Sequence, residues 1–202
     1  MTERATAPVD QHLVETTVRS EQVWRGGFLD VRRDVAALPD GTEVRREYIV
    51  HPGAVVIVPL LDDGRLLLER QYRYPLKQVL LEFPAGKIDP GEATFETARR
   101  ELREETGYRA AEWALAGRLH NAAAYSDEFI EIWFARGLVA GAKSLDPGEL
   151  IDLCTLSAAD LHAAARSGAL TDAKTLIGLY WHGQMATGAW QPQWQRHPVD
   201  AS

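Results

Sequence analysis

Apolar residues fall in short runs through most of this chain and take up helical spacing in only a few places. Residues 54–60 (AVVIVPL) form an unbroken apolar run, and Glu43–Val50 is rich in β-branched residues; both predict strands. Asp62-Asp63-Gly64 predicts a turn into a strand over residues 65–72, so this region reads as a hairpin. Residues 79–83 predict one more short strand. The theme returns at residues 113–120, 129–135 and Ile151–Leu156. Two helices are expected to close the chain. The first starts at Ser157, with Asp160 three residues on as a variant capping box; the second runs from Thr171 to Trp181 and ends near Gly183. Strands first, a helix between them and helices last predict a mixed α/β layered domain. The first dozen residues and the stretch after Thr187 read as loosely attached.

The middle helix carries the most informative pattern. With Phe95 set at zero and about 100° per residue, Ala98, Leu102 and Thr106 fall within about 60° of it and form a narrow apolar seam. Glu101, Glu104 and Glu105 occupy the adjoining arc, where helix meets body. Like charges three or four residues apart disfavour a helix by a few tenths of a kcal/mol per pair. Arg99, Arg100 and Arg103 supply compensation, and a solvated, salt-bridged face is the plain reading of such a pattern. The flank favours another. EFPAGKIDPGE breaks the backbone at Pro84, Gly86, Pro90 and Gly91, which brings backbone carbonyls close to the helical acids. Oxygen ligands of that kind suit a hard divalent cation that keeps several waters for phosphate oxygens to replace.

Gly86, five residues, Glu92, seven residues, then Arg100-Glu101-Leu102-Arg103-Glu104-Glu105-Thr106-Gly107-Tyr108 resembles the Nudix box, G-x5-E-x7-R-E-U-x-E-E-x-G-U, where U is a bulky aliphatic residue. The one departure is Tyr108 at the last position, which bears on packing. The resemblance implies a hydrolase of nucleoside diphosphates linked to another moiety, dependent on magnesium or manganese, with an α/β/α sandwich built on a mixed sheet. It further implies that Glu101 and Glu105 ligate the metal, that Glu104 is a ligand or holds a metal-bound water, that the Ala85 carbonyl completes the site, and that Glu92 and Arg100 hold loop to helix.

Length and charge set limits. The 202 residues, 46% hydrophobic, suffice for one catalytic domain with a substantial core. A net charge of −7 argues against a broad nucleic-acid surface while leaving room for a small phosphorylated substrate. The N-terminus lacks a signal-peptide pattern, and the longest apolar run is too short to span a bilayer; a soluble cytoplasmic protein without a membrane partner is expected. Cys154, the only cysteine, excludes an intrachain disulfide and reads as a small buried hydrophobe.

Two further segments are similar to the ADP-ribose pyrophosphatase branch of the family. Residues 1–50 resemble its β-rich N-terminal extension, which swaps between subunits of a homodimer, with residues 51–202 as the Nudix domain. Within Val44-Arg45-Arg46-Glu47-Tyr48, Arg46 is a candidate for holding phosphate or sugar. Glu69-Arg70-Gln71-Tyr72-Arg73-Tyr74-Pro75 is similar to the branch's E-Q-F/Y-R-x-P segment, which makes Arg73 the candidate diphosphate contact, since guanidinium binds phosphate bidentately. Glu82 is a candidate substrate contact or an ordinary strand carboxylate. Trp24 and Phe28 either stack on a base or pack. For the general base, the resemblance points to a loop glutamate after the box. Glu149 is the candidate, with an exposed loop acid as the plain alternative and Glu128 as runner-up; alternation turns Glu131 to solvent. The branch's Ser-Pro-Gly is replaced by Ala122-Ala123-Ala124 before Ser126-Asp127-Glu128. That departure keeps GDP-mannose, or another nucleoside diphosphate sugar, beside ADP-ribose as the expected substrate. A non-catalytic nucleotide sensor is the reading from another class.

Overall fold

The computed structural model describes residues 10–199, which divide into two compact units. One comprises the chain to His51 together with Ala122–Glu128; the other comprises Pro52–Asn121 and the chain from Phe129 onward.

The first unit is an antiparallel meander of β1 (Thr16–Arg25), β2 (Asp30–Ala37) and β3 (Glu43–Val50). β1 and β2 have no counterpart in the hydrophobic pattern. β1 is exposed at nearly every position, so no core imposed an apolar alternation on it. Asp127 Oδ1 accepts from the His51 amide at 2.7 Å, and Ile49 donates its amide to the Tyr125 carbonyl, so the 122–128 segment is tied to the end of β3.

The second unit is layered. A five-stranded sheet runs in the order β11 (Gln195–Arg196), β8 (Tyr108–His120), β9 (Phe129–Ala140), β4 (Ala54–Pro59), β7 (Ala85–Lys87). The β4–β9 pair is parallel and the other pairs antiparallel, so the sheet is mixed. β4 is buried at every position because both of its faces are covered. Val55 and Ile57 pack with Ala98 and Leu102 of α1 (Thr94–Thr106). Val56 and Val58 pack on the other side with Leu161 of α2 (Ala158–Ser167) and Leu179 of α3 (Ala173–Ala186). A second antiparallel sheet, β10 (Ile151–Leu156), β5 (Leu66–Arg73), β6 (Gln78–Glu82), adds Leu66 and Leu68 to that core. The expected α/β/α sandwich is the observed fold.

The α2 cap is where the sequence places it. Ser157 Oγ accepts from the Asp160 amide at 3.1 Å and opens α2. α3 starts one residue beyond its cap, Asp172, rather than at Thr171, and continues past Trp181 to Ala186. Two expectations are corrected. Beyond Thr187 the described chain is held in place: Trp190 packs edge-on against Phe134 and Trp181, and β11 pairs with β8. Glu131 does not face solvent; it is 9% exposed and bonds Arg118 at 2.8 Å. β9 lies inside the sheet with helices against it, so alternation there selects between two covered faces.

Candidate active site

The glycine loop meets α1 through a clamp. Glu92 accepts from Arg100 Nε at 3.1 Å and Nη2 at 3.0 Å, and from the Thr97 hydroxyl at 2.8 Å. Arg100 Nη2 also donates to the Lys87 carbonyl at 3.1 Å, while Nη1 reaches Glu101 at 2.8 Å and Glu104 at 3.1 Å. The loop is thereby fixed to the helix by a residue that also touches two of the three box acids. At the far end of α1, Gly107 turns the chain with φ +77°, and a Cβ there would meet the Gly141 carbonyl oxygen at 2.6 Å. Glycine is the residue that satisfies both constraints.

Sequence places the three acids on one arc, and the structure separates them by depth. Glu105 is 3% exposed, and its Oε2 accepts from the Ala85 amide at 3.0 Å. Burial pushes its pKa up, and repulsion from Glu69, Glu101 and Glu149 pushes in the same direction against the Ala85 bond. Glu101 packs on Gly86 so closely that an added Cβ would lie 1.9 Å from its Oε1. Burial lifts its pKa to about 7 against the pull of Arg100, with Glu104 and Glu149 adding to the rise. Glu104 is the most exposed of the three and is paired with Arg100 and Arg103.

Glu149 lies in the loop before β10, where its carboxylate accepts from the Asp146 amide at 3.2 Å. Its charge acts on Glu69, Glu101 and Glu105, so it belongs to the same acidic group. Glu128 sits in the other unit, 3.7 Å from His51 Nε2. Arg46, also in that unit, forms a two-pronged pair with Glu15 at 2.9 and 2.6 Å. Trp24 and Phe28, the stacking candidates, are exposed within it.

Arg73 and Glu82 come together with each other. Arg73 Nε and Nη2 each donate to Glu82 at 2.7 Å, and Glu82 is fully buried. Lys174, from the first turn of α3, also donates to Glu82, and to Asp172 at 2.9 Å. Lys174 was missed in sequence because its partner lies 92 residues away and no local spacing signals the pair. Glu69 opens the segment over residues 69–75, in which local spacing marks out Arg73 alone. Glu69 is completely buried and directly opposite Glu82 across the β5–β6 ladder, with neither oxygen hydrogen-bonded.

Among the described residues no three acidic, histidine or cysteine side chains already stand close enough to hold a metal ion. The chemistry of the donor set nevertheless fits one. Buried carboxylates with raised pKa values and two orphaned oxygens are an arrangement that a hard divalent cation relieves. A cavity of about 370 Å³ opens on the arginine-bearing side of α1, lined by Arg99, Arg103 and Trp113 together with Glu92 and Arg100 of the clamp, while Glu69, Glu101, Glu104 and Glu105 do not line it.

The Glu101 shift makes a stability prediction. A carboxyl raised from 4.5 to about 7 contributes stability that is complete below pH 4.5 and lost as pH rises through 7, worth roughly 3 kcal/mol. Glu101→Gln, permanently neutral, should therefore gain on wild type by roughly 5 °C or more in Tm between pH 5 and pH 8 in chelator. A Tm difference constant across that range would refute the shift.

The comparisons with known proteins agree with the box. The NUDIX domain model matches residues 50–176. An ADP-ribose pyrophosphatase of Bacillus subtilis (strain 168) is 32% identical over 171 residues, 84% of this chain and 92% of that protein. A methanol dehydrogenase activator of Bacillus methanolicus is 33% identical over 171 residues, 83% of this chain and 91% of that protein. The crystal structure of an ADP compounds hydrolase, 27% identical, superimposes with a TM-score of 0.78 over 87% of this chain and 95% of that one. With the box matched from Gly86 to Gly107 and the sandwich folded around it, this chain belongs to the Nudix family and is a Nudix hydrolase.

Proposed function

We propose that the protein hydrolyses the pyrophosphate bond of ADP-ribose to AMP and ribose 5-phosphate, using a divalent cation, magnesium or manganese, at the Glu101–Glu105 edge. The observation that carries the reading is the buried acidic group beside the glycine loop, in a chain that matches an ADP-ribose pyrophosphatase along most of its length. When bound, the cation would neutralise phosphoryl charge and activate water. Glu101 and Glu105 would hold it with the Ala85 carbonyl, and Glu104, nearer solvent, would hold it directly or through a bound water. Glu149, on the loop and acting on Glu69, Glu101 and Glu105, accepts the proton of the attacking water. Arg73 takes the diphosphate. Glu82 serves the substrate through the cations it fixes, Arg73 and Lys174, because its own oxygens are engaged by them. Arg46 takes phosphate or sugar once Glu15 releases it.

The exposed apolar residues Val14, Val18 and Trp24 in and beside β1 support a homodimer formed through the N-terminal sheet, to be checked by light scattering. Among the described residues no helix is long and apolar enough to cross a membrane, and the enzyme is proposed to act in the cytoplasm on a small soluble nucleotide, without a nucleic-acid partner.

A second reading, GDP-mannose or another nucleoside diphosphate sugar, is favoured by the alanines at Ala122 to Ala124. Product analysis with magnesium and, in parallel, ADP-ribose, GDP-mannose, NADH and diadenosine polyphosphate tests the choice. ADP-ribose is expected to turn over fastest; a faster GDP-mannose reaction replaces the first reading with the second, and binding without turnover of any of them turns the protein into a sensor.

A further inference from the structure

Glu69 occupies a position where its charge has no local use. It lies in the middle of β5, between Leu153 of β10 and Glu82 of β6, and follows three buried leucines, Leu66, Leu67 and Leu68. A β-branched apolar residue would fill such a strand site without penalty. Here a carboxylate is wholly buried and both of its oxygens lack a hydrogen-bond partner. Native structures rarely leave one buried polar atom unsatisfied, and each such atom calls for an explanation, an ion included. Among the described residues no other carboxylate has both oxygens in this condition.

Its surroundings narrow the explanation. Arg73 and Lys174 give their hydrogen bonds to Glu82, and their charges act on Glu69 without bonding it. Glu82 in turn stands three residues before Ala85, whose amide donates to Glu105, so the chain leads directly from the partner of Glu69 to the box acids, and the charge of Glu69 bears on Glu105. Glu69 is therefore a buried, unpartnered carboxylate beside the strand that runs into the Ala85 loop. We infer that Glu69 is a further carboxylate of the cation site, holding a divalent cation or its bound water jointly with Glu105. This rests on the metal-dependent reading above and extends it from α1 to the second sheet. The nearest alternative is a neutral, protonated acid that only fills space.

Binding of Mn2+ without substrate separates the two. Free Mn2+ is measured by electron paramagnetic resonance during titration of the full-length wild type, Glu69→Gln, Glu69→Met and Glu105→Gln, with Tm measured in chelator for each. Wild type should bind, Glu105→Gln should lose binding, and both Glu69 variants should bind about ten- to a hundredfold more weakly, with metal-free Tm no lower than wild type. Equal affinity in wild type and the Glu69 variants, with Glu105→Gln defective, overturns the role of Glu69 and leaves the cation site standing. A wild type that neither binds Mn2+ nor hydrolyses ADP-ribose overturns both.

Discussion

Glu105→Gln is expected to lower turnover at least about a hundredfold while leaving the fold intact. The glutamine is isosteric and its amide oxygen can still accept from the Ala85 amide, a bond of 3.0 Å in the present structure. What it lacks is the charge that would hold a cation, and metal stabilisation of phosphoryl charge is worth several kcal/mol, at about 1.4 kcal/mol for each tenfold in rate. Because Glu105 is 3% exposed and surrounded by other acids, removing its ionisation should also hold or raise Tm in chelator. Product formation and calorimetry on the same preparation check both halves. Wild-type rates with an unchanged Tm would remove Glu105 from the machinery.

Glu82→Ala should be the most destabilising single change near the site. Glu82 is fully buried and neutralises Arg73 and Lys174 together, and Lys174 is itself only 12% exposed. Removing one partner of a buried ion pair strands the other, at about 3–5 kcal/mol. For a chain of this size that is roughly 10 °C in Tm. Adding Lys174→Met to Glu82→Ala should recover part of the loss, because it removes the more buried of the two cations, which would be left with Asp172 alone. A denaturant titration reads the difference; a loss below about 1 kcal/mol would mean that water reaches the pair and that Arg73 is not held by it.

The legible parts of this molecule share a physical reason. The α1 seam was read from Phe95, Ala98, Leu102 and Thr106, and Ala98 and Leu102 are buried against β4, because one helix face meets one core. The box was legible because its spacing is local, and the α2 cap was legible because Ser157 bonds the residue three positions on. Where the determining contact is distant, pattern fails. β1 is an exposed strand stabilised by its pairing with β2 rather than by an apolar face. Trp190 and Trp194 fix the tail through single rings, Trp190 on Phe134 and Trp194 beneath Arg136, and isolated aromatic contacts have no period. Glu131 was misread because a strand covered on both faces hides polar residues as readily as apolar ones. Lys174 and Glu69 acquire meaning only when β5, β6 and α3 come together.

The most direct measurement is phosphorus NMR of ADP-ribose incubated with the full-length protein, first in chelator and then after addition of excess magnesium. No change is expected in chelator; on addition of magnesium, the pyrophosphate signals should give way to those of the two monoesters, AMP and ribose 5-phosphate. Cleavage that proceeds equally in chelator, or pyrophosphate signals that persist after magnesium is added, would contradict a cation-dependent pyrophosphatase at the Glu101–Glu105 edge.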